Sequence, residues 1–214
     1  MSSHVGPPLL STREKLPRAP RQARSLARRQ KLLEAGRSLF SGKGYEATSI
    51  QEITSRARAA AGSFYLYFPS KRHLLVALMN ELLQRLDGVS LSPQGGKNAR
   101  ASLPGFLATV FRVDLEYFGV IRAWQEATLT DKELGRMQAA IQAWTSARIR
   151  RVFQLLQRHP QARKNADVST FAAMMDRHFW SLLARGSRMS PLDFDREVKT
   201  SADVIDRYLF RDPA

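Results

Sequence analysis

The chain has 214 residues, of which 43% are hydrophobic, with no cysteine and a formal net charge of +15. The apolar content is enough for a folded core, while the lack of cysteine excludes disulfide staples and thiolate-bound metal. No apolar run reaches the roughly 18–20 residues of a membrane span, and the first twenty residues hold no continuous apolar stretch, so neither a membrane protein nor a secretory signal is expected. The charge is uneven: residues 1–72 carry 14 Lys/Arg against 4 Asp/Glu, and residues 73–214 carry 20 against 15. A basic field packed into one third of a chain attracts a polyanion by displacing its counterions. Charge alone leaves a solvated basic surface, or contact with anionic lipid, as alternatives.

In chain order, residues 1–24 read as a disordered basic arm. Pro7, Pro8, Pro17 and Pro20 interrupt any helix, and Arg13, Lys15, Arg18 and Arg21 supply charge. Helical periodicity begins near Arg24. Leu26, Leu33, Gly36 and Phe40 fall on one face with Leu32 and Leu39 beside them, until Gly42 and Gly44 stop the helix. Ser49 with Glu52 three residues on is a capping-box pattern and predicts a short second helix. A third element runs through Phe64 to Phe68 and closes at Pro69.

Ser70 then opens a helix whose Leu74, Leu75, Leu78, Leu82 and Leu86 repeat at helical spacing. Residues 88–96 read as a loop. Further helices are expected over 98–118, 119–128, 131–158 and 167–185, and from about Phe194 to Phe210, with Ser190-Pro191 as a plausible start for the last. The fold class is all-α.

Two short helices joined by a tight turn behind a basic helix form a helix-turn-helix, here 49–68. Such a motif sets the start of its second helix at base edges in the major groove. That start is Ala60, Ala61, Gly62 and Ser63, small residues that permit close backbone approach. Tyr65 and Tyr67 lie two apart, so one is expected to reach phosphate and the other to pack inward.

Residues 25–75 resemble the DNA-binding domain of the tetracycline-repressor (TetR) family. The likeness rests on Lys43-Gly44-Tyr45-Glu46-Ala47-Thr48-Ser49, on Ile53, Ala57, Gly62 and Phe64-Tyr65, and on Tyr67-Phe68-Pro69-Ser70-Lys71 with Leu74-Leu75. It covers about a quarter of the chain. It implies that Thr48, Ser49 and Gln51 meet phosphate and base, and that Ala60 to Ser63 open the recognition helix. It also implies that Tyr65 reaches phosphate and that Lys71 holds one with its helix N-terminus. Arg28 and the arm would add phosphate contacts.

The pattern departs from the family at Arg58, where glycine is usual, at Ala60, where a capping Ser or Thr is usual, and at Ala61, commonly polar or basic. Arg58 is therefore expected in a left-handed turn and Ala60 without a capping bond.

The expected domains are the arm (1–24), the DNA-binding head (25–86) and a helical ligand-binding and dimerisation domain (87–214). Phe111, Phe118, Trp124, Met137, Trp144, Phe171, Met175 and His178 either line an apolar ligand pocket or pack as plain core. The resemblance implies a homodimer through helices in about 165–210; without it, monomer core is the alternative.

Enzyme motifs are lacking. There is no P-loop, no His-Glu-x-x-His and no dinucleotide turn, and the four histidines show no metal-ligand spacing. The expectation is a cytoplasmic, ligand-responsive repressor of double-stranded DNA, with an unknown small apolar or amphipathic effector and neither cofactor nor metal. The alternative is a helical protein-interaction module with degenerate, non-specific DNA binding.

Overall fold

The computed structural model describes residues 6–12, 23–90 and 99–210. Arg13, Lys15, Arg18, Arg21, Pro17 and Pro20 of the arm, and most of the loop expected over 88–96, lie outside that range. Among the described residues the structure is helical, with one isolated bridge between Ala162 and Phe210. The helices are α1 (Ala23–Lys43), α2 (Ile50–Arg56), α3 (Ala61–Phe64), α4 (Lys71–Asp87), α5 (Ala99–Glu116), α6 (Phe118–Thr128), α7 (Lys132–Gln157), α8 (Val168–Gly186) and α9 (Pro191–Leu209).

The helix boundaries follow local chemistry. α1 stops where Gly44 takes φ 85°, its amide donating to Phe40 O at 3.0 Å. Asp131 Oδ1 accepts from Glu133 N at 2.8 Å and opens α7. Asp167 caps α8 through Ser169 N and Thr170 N, both at 3.1 Å. α9 begins earlier than the apolar period suggests, because Ser190 caps it and Pro191 fits its first turn.

Two compact units divide the chain. The first contains the described residues up to Gln84 together with Glu116–Ala140, and the second contains Arg85–Leu115 and Ile141 onward. α6 and the start of α7 thus cluster with the head helices, a division that differs from a boundary at 86/87. In the first unit Leu32, Leu33, Phe40, Ile53, Phe64, Phe68, Leu74, Leu75 and Trp124 are buried. Each such side chain contributes about 1.5–3 kcal/mol of apolar burial. α1 and α6 pack closely at Gly119, where a Cβ would overlap the Ser41 backbone. Leu26 is half exposed, contrary to its place in the periodic pattern. It lies in the first turn of α1, where Ser25 and Arg29 turn toward the helix-turn-helix instead. Ser25 Oγ meets Tyr67 Oη at 3.0 Å, and the Arg29 guanidinium sits 5.2 Å from the Phe68 ring centre.

Part of the arm is ordered against α4. Leu10 is buried; its amide donates to Asn80 Oδ1 and its carbonyl accepts from Asn80 Nδ2, each at 2.9 Å. Thr12 Oγ1 meets His73 Nε2 at 2.5 Å, while His73 Nδ1 meets Ser70 Oγ at 2.8 Å. The disorder expected throughout 1–24 therefore fails for residues 6–12. One buried leucine and a two-way amide bond fix a segment whose prolines only forbid helix.

The second unit is built on aromatic contacts. Phe111 meets Phe179 and Phe194 edge-on at 5.4 and 5.6 Å. Arg100 grips Asp206 through two bonds of 2.6 and 2.7 Å, with its guanidinium 4.4 Å from the Phe210 ring centre.

Candidate nucleic-acid interface

The helix-turn-helix is assembled from a loop, two short helices and the supports behind them. Ser49 stands in extended geometry before α2. Its hydroxyl accepts from Glu52 N while Glu52 Oε2 accepts from Ser49 N at 2.9 Å, the full reciprocal capping box. Glu52 also receives the Lys43 ammonium. That bond, with those from Ser49, holds the Glu52 carboxyl down to about 2.

The loop at residues 44–48 has its polar groups taken up from both sides. Glu126 on α6 accepts from Tyr45 N at 2.8 Å and from Glu46 N at 3.0 Å. Lys71 on α4 donates to Tyr45 O at 2.7 Å and to Glu46 O at 3.3 Å, and its ammonium sits 4.3 Å from the Tyr45 ring centre. Thr48 is buried, and its hydroxyl donates to Gly44 O at 2.7 Å. Burial, then the charge of Glu46, pushes the Tyr45 hydroxyl up to about 12, so that ring stays neutral. α4 is itself tied at its start: Arg72 bridges Asp131 and Glu133, both at 3.2 Å.

The turn between α2 and α3 passes through Arg58 at φ 51°, the left-handed conformation expected of a position where glycine is easier. Ala60 precedes α3 in extended geometry without a side-chain capping bond, also as expected. Ala60, Ala61 and Gly62 are exposed. Ser63 Oγ donates back to Ala60 O at 2.6 Å, a bond that engages its hydroxyl and supplies no acceptor for the first amides of α3. Phe64 and Phe68 are buried and pin α3 to the core, whereas Tyr65 is 56% exposed. Gln51 and Arg28 are exposed as well. Gln51, Ala60, Ala61, Gly62 and Tyr65 are thus all exposed within the helix-turn-helix, behind a loop held from two sides.

Residues 32–78 match the family model described as bacterial regulatory proteins, tetR family. This segment is a TetR-type DNA-binding head. The chain has curated relatives in the transcriptional repressor KstR. The Rhodococcus jostii protein is 30% identical over 131 residues, 61% of this chain and 57% of that protein. The Mycolicibacterium smegmatis protein is 38% identical over 78 residues, 36% of this chain and 34% of that protein. The chain thus spans about half or less of these relatives' length. The fold extends the likeness beyond the head. SmeT, the repressor of the Stenotrophomonas maltophilia multidrug efflux pump SmeDEF, superposes with a TM-score of 0.63 at 19% identity, covering 86% of this chain and 91% of its own. The SmeT–triclosan complex gives 0.66 at 22%, covering 87% and 93%. At these identities the likeness is one of fold alone.

Against the sequence reading, Gln51, Ala60, Ala61, Gly62 and Tyr65 are exposed, Ser63 is half-buried, and Arg28 is exposed on α1. The head turns three other expected contact residues toward structural work. Thr48 closes the loop, Ser49 caps α2, and the Lys71 ammonium is spent on two carbonyls. Tyr67 is half-buried through its bond to Ser25, in line with its inward assignment. Sequence reasoning missed Glu126, which lies 81 positions from the amide it accepts. A single acidic residue near a helix end carries no pattern that would have marked it.

The eight expected pocket residues divide between the units. Phe118, Trp124 and Met137 belong to the first, where Trp124 Nε1 donates to Gln138 Oε1 at 2.8 Å. Phe111, Trp144, Phe171, Met175 and His178 belong to the second. There Phe171 stacks on Phe153 and Tyr208, while His178 is exposed with Nε2 2.8 Å from Ser201 Oγ. No described helix is long and apolar enough to cross a membrane.

Proposed function

We propose that this chain is a sequence-specific DNA-binding transcriptional regulator of the cytoplasm, acting as a homodimer whose affinity for its operator falls when a small apolar or amphipathic effector binds. The observation that carries the reading is the two-sided clamp on residues 44–48, which fixes Ser49 and α2 beneath an exposed face of small and polar side chains in a TetR-type head. Gln51 and the backbone at Ala60, Ala61 and Gly62 read bases. Tyr65 and Arg28 contact phosphates, and Thr48, Ser49 and Lys71 position the loop that presents them. Met174 on α8 and Val204 on α9, both about half exposed, support pairing of the segment 165–210 with a second copy. The effector acts by preferring a head arrangement that does not fit DNA, and the operator half-sites are spaced by a DNA turn, about 34–36 Å, or a multiple.

The test is fluorescence anisotropy of the purified chain on duplexes from its own upstream region and on a scrambled duplex, across salt concentrations. A preference of roughly 10³-fold or more for one upstream duplex, with two chains bound per site, supports the reading. Equal, steeply salt-dependent binding to both overturns it in favour of an interaction module that merely holds phosphates.

A further inference from the structure

Within the second unit, α7 carries Trp144 and Arg148 four residues apart and therefore on one face. The Trp144 ring is buried, and its Nε1 is a fully buried donor with no hydrogen-bond partner. Buried donors in native structures are nearly always satisfied, so an orphan marks a place where an acceptor is missing. The Arg148 guanidinium lies 5.9 Å from the Trp144 ring centre and 5.5 Å from that of Phe106 on α5. One of its terminal nitrogens, Nη2, donates to Leu86 O at 2.7 Å and to Val89 O at 2.9 Å. Among the described residues its other N–H groups have no acceptor and no carboxylate stands at ion-pair distance. Asp114 of α5 feels the charge of Arg148 without bonding to it. Both Asp114 and Arg148 keep part of their surface accessible. An unsatisfied indole N–H, a partly desolvated cation and an aromatic wall thus share one locality.

We propose that this cluster is the seat of an apolar monocarboxylate, whose carboxylate oxygens accept from Trp144 Nε1 and from the free N–H groups of Arg148 while its hydrocarbon body lies along Phe106. The proposal rests on the reading of this protein as effector-responsive and names the effector's class. A cationic ligand is disfavoured, since it would meet Arg148 head on. A neutral carbonyl compound would satisfy the indole and leave the guanidinium unpaired. Burial raises the Asp114 carboxyl to about 7, opposed by the charge of Arg148, so below neutrality it is protonated. The other charges acting on Arg148 are Asp87 of α4 and Arg151 of α7. A bound anion therefore meets a cation and one neutral donor in acid, and an added negative charge from Asp114 in alkali.

Isothermal titration of the full chain with the straight-chain acids from butanoate to dodecanoate, their phenyl-terminated analogues and the matched primary amides tests this directly. At least one acid is expected to bind saturably and to outbind its amide by about tenfold or more. Trp144→Phe, which keeps the ring and removes the donor, and Arg148→Met are each expected to weaken that acid by about tenfold. Asp114→Asn should abolish the decline in affinity that the parent chain shows from about pH 6 to about pH 8. Absence of saturable binding by any acid, equal binding of acid and amide, or full affinity in both Trp144→Phe and Arg148→Met overturns the site. Operator binding measured alongside separates the two readings. Intact operator recognition with no acid binding sinks this site alone. Acid binding that leaves operator affinity unchanged upholds the site and removes the effector role.

Discussion

The carboxylate of Glu126 holds the amide of Tyr45 at 2.8 Å across 81 positions of sequence, and so ties the loop before α2 to α6. The second carboxylate oxygen holds Glu46 N, while Lys71 takes the carbonyls of the same two residues. Both polar edges of two adjacent residues are thereby fixed by helices distant in the chain. Glu126→Ala is expected to speed amide exchange at Tyr45 and Glu46 by about tenfold or more and to weaken operator binding without altering the base preference. Retained protection at both amides would refute the clamp.

The same carboxylate predicts an acid response. Bonds from Tyr45 N and then Glu46 N hold the Glu126 carboxyl below its ordinary value. A carboxyl lowered in the folded state stabilises the fold above its unfolded value, and that stabilisation is lost as pH falls through the lowered one. The loop should therefore stay protected at pH values where free glutamate titrates and loosen only in stronger acid. In Glu126→Gln the exchange at Tyr45 and Glu46 should lose this acid dependence.

The turn at Arg58 is strained by its positive φ and the helix after it lacks a capping side chain. Arg58→Gly is expected to raise stability by about 1 kcal/mol, the relief of a left-handed side chain less the entropy glycine adds to the unfolded chain. Ala60→Ser should add about 1 kcal/mol by capping α3. For a chain of this size each corresponds to about 2–4 °C in thermal midpoint. A lower midpoint for Arg58→Gly would mean that the Arg58 side chain contributes more than its backbone costs.

At Gly119 a methyl group would enter the Ser41 backbone, which cannot move without shifting α1. Gly119→Ala is expected to cost about 2 kcal/mol or more in chemical denaturation. Gly62→Ala, where a Cβ meets open space, should be neutral for stability; any loss there would appear in DNA binding, as expected if that backbone approaches a base.

Asp114 makes the second unit sensitive to alkali. Its carboxyl binds a proton more tightly when folded, with its value raised from 3.8 to about 7 by burial. The unfolded chain therefore ionises first, and stability should decline as pH rises through that interval. Asp114→Asn should flatten the decline and raise the thermal midpoint at mildly alkaline pH; an unchanged pH profile would place the carboxyl in contact with water.

Much of the fold was legible in sequence because helix signals are local. Ser49 with Glu52, Gly44 after α1, and Ser190 before Pro191 announce their roles within four residues. The period of Leu74, Leu75, Leu78 and Leu82 gave α4 its buried face. Arg58 was legible for the same reason, since a turn needing positive φ is strained by any residue other than glycine.

What stayed hidden depends on partners remote in the chain. Thr48, Ser49 and Lys71 look like DNA contacts, because a hydroxyl or ammonium at the edge of a helix suits phosphate equally well. Only the carbonyls of Gly44, Tyr45 and Glu46 show Thr48 and Lys71 to be engaged within the protein. The clustering of Glu116–Ala140 with the head was hidden too. Apolar period marks which face of α6 is buried and is silent on what buries it.

Leu10 is the buried residue of the described segment 6–12, and the Asn80 carboxamide is matched to its backbone. Removal of Leu10 is therefore expected to loosen the head. A protease cutting just after Thr12 would leave the Leu10 peptide free to dissociate, uncovering apolar surface on α4 and stripping Asn80 of both its bonds. Resistance of the Leu10 segment to limited proteolysis would then report on the integrity of the head more directly than any spectroscopic measure of helix content.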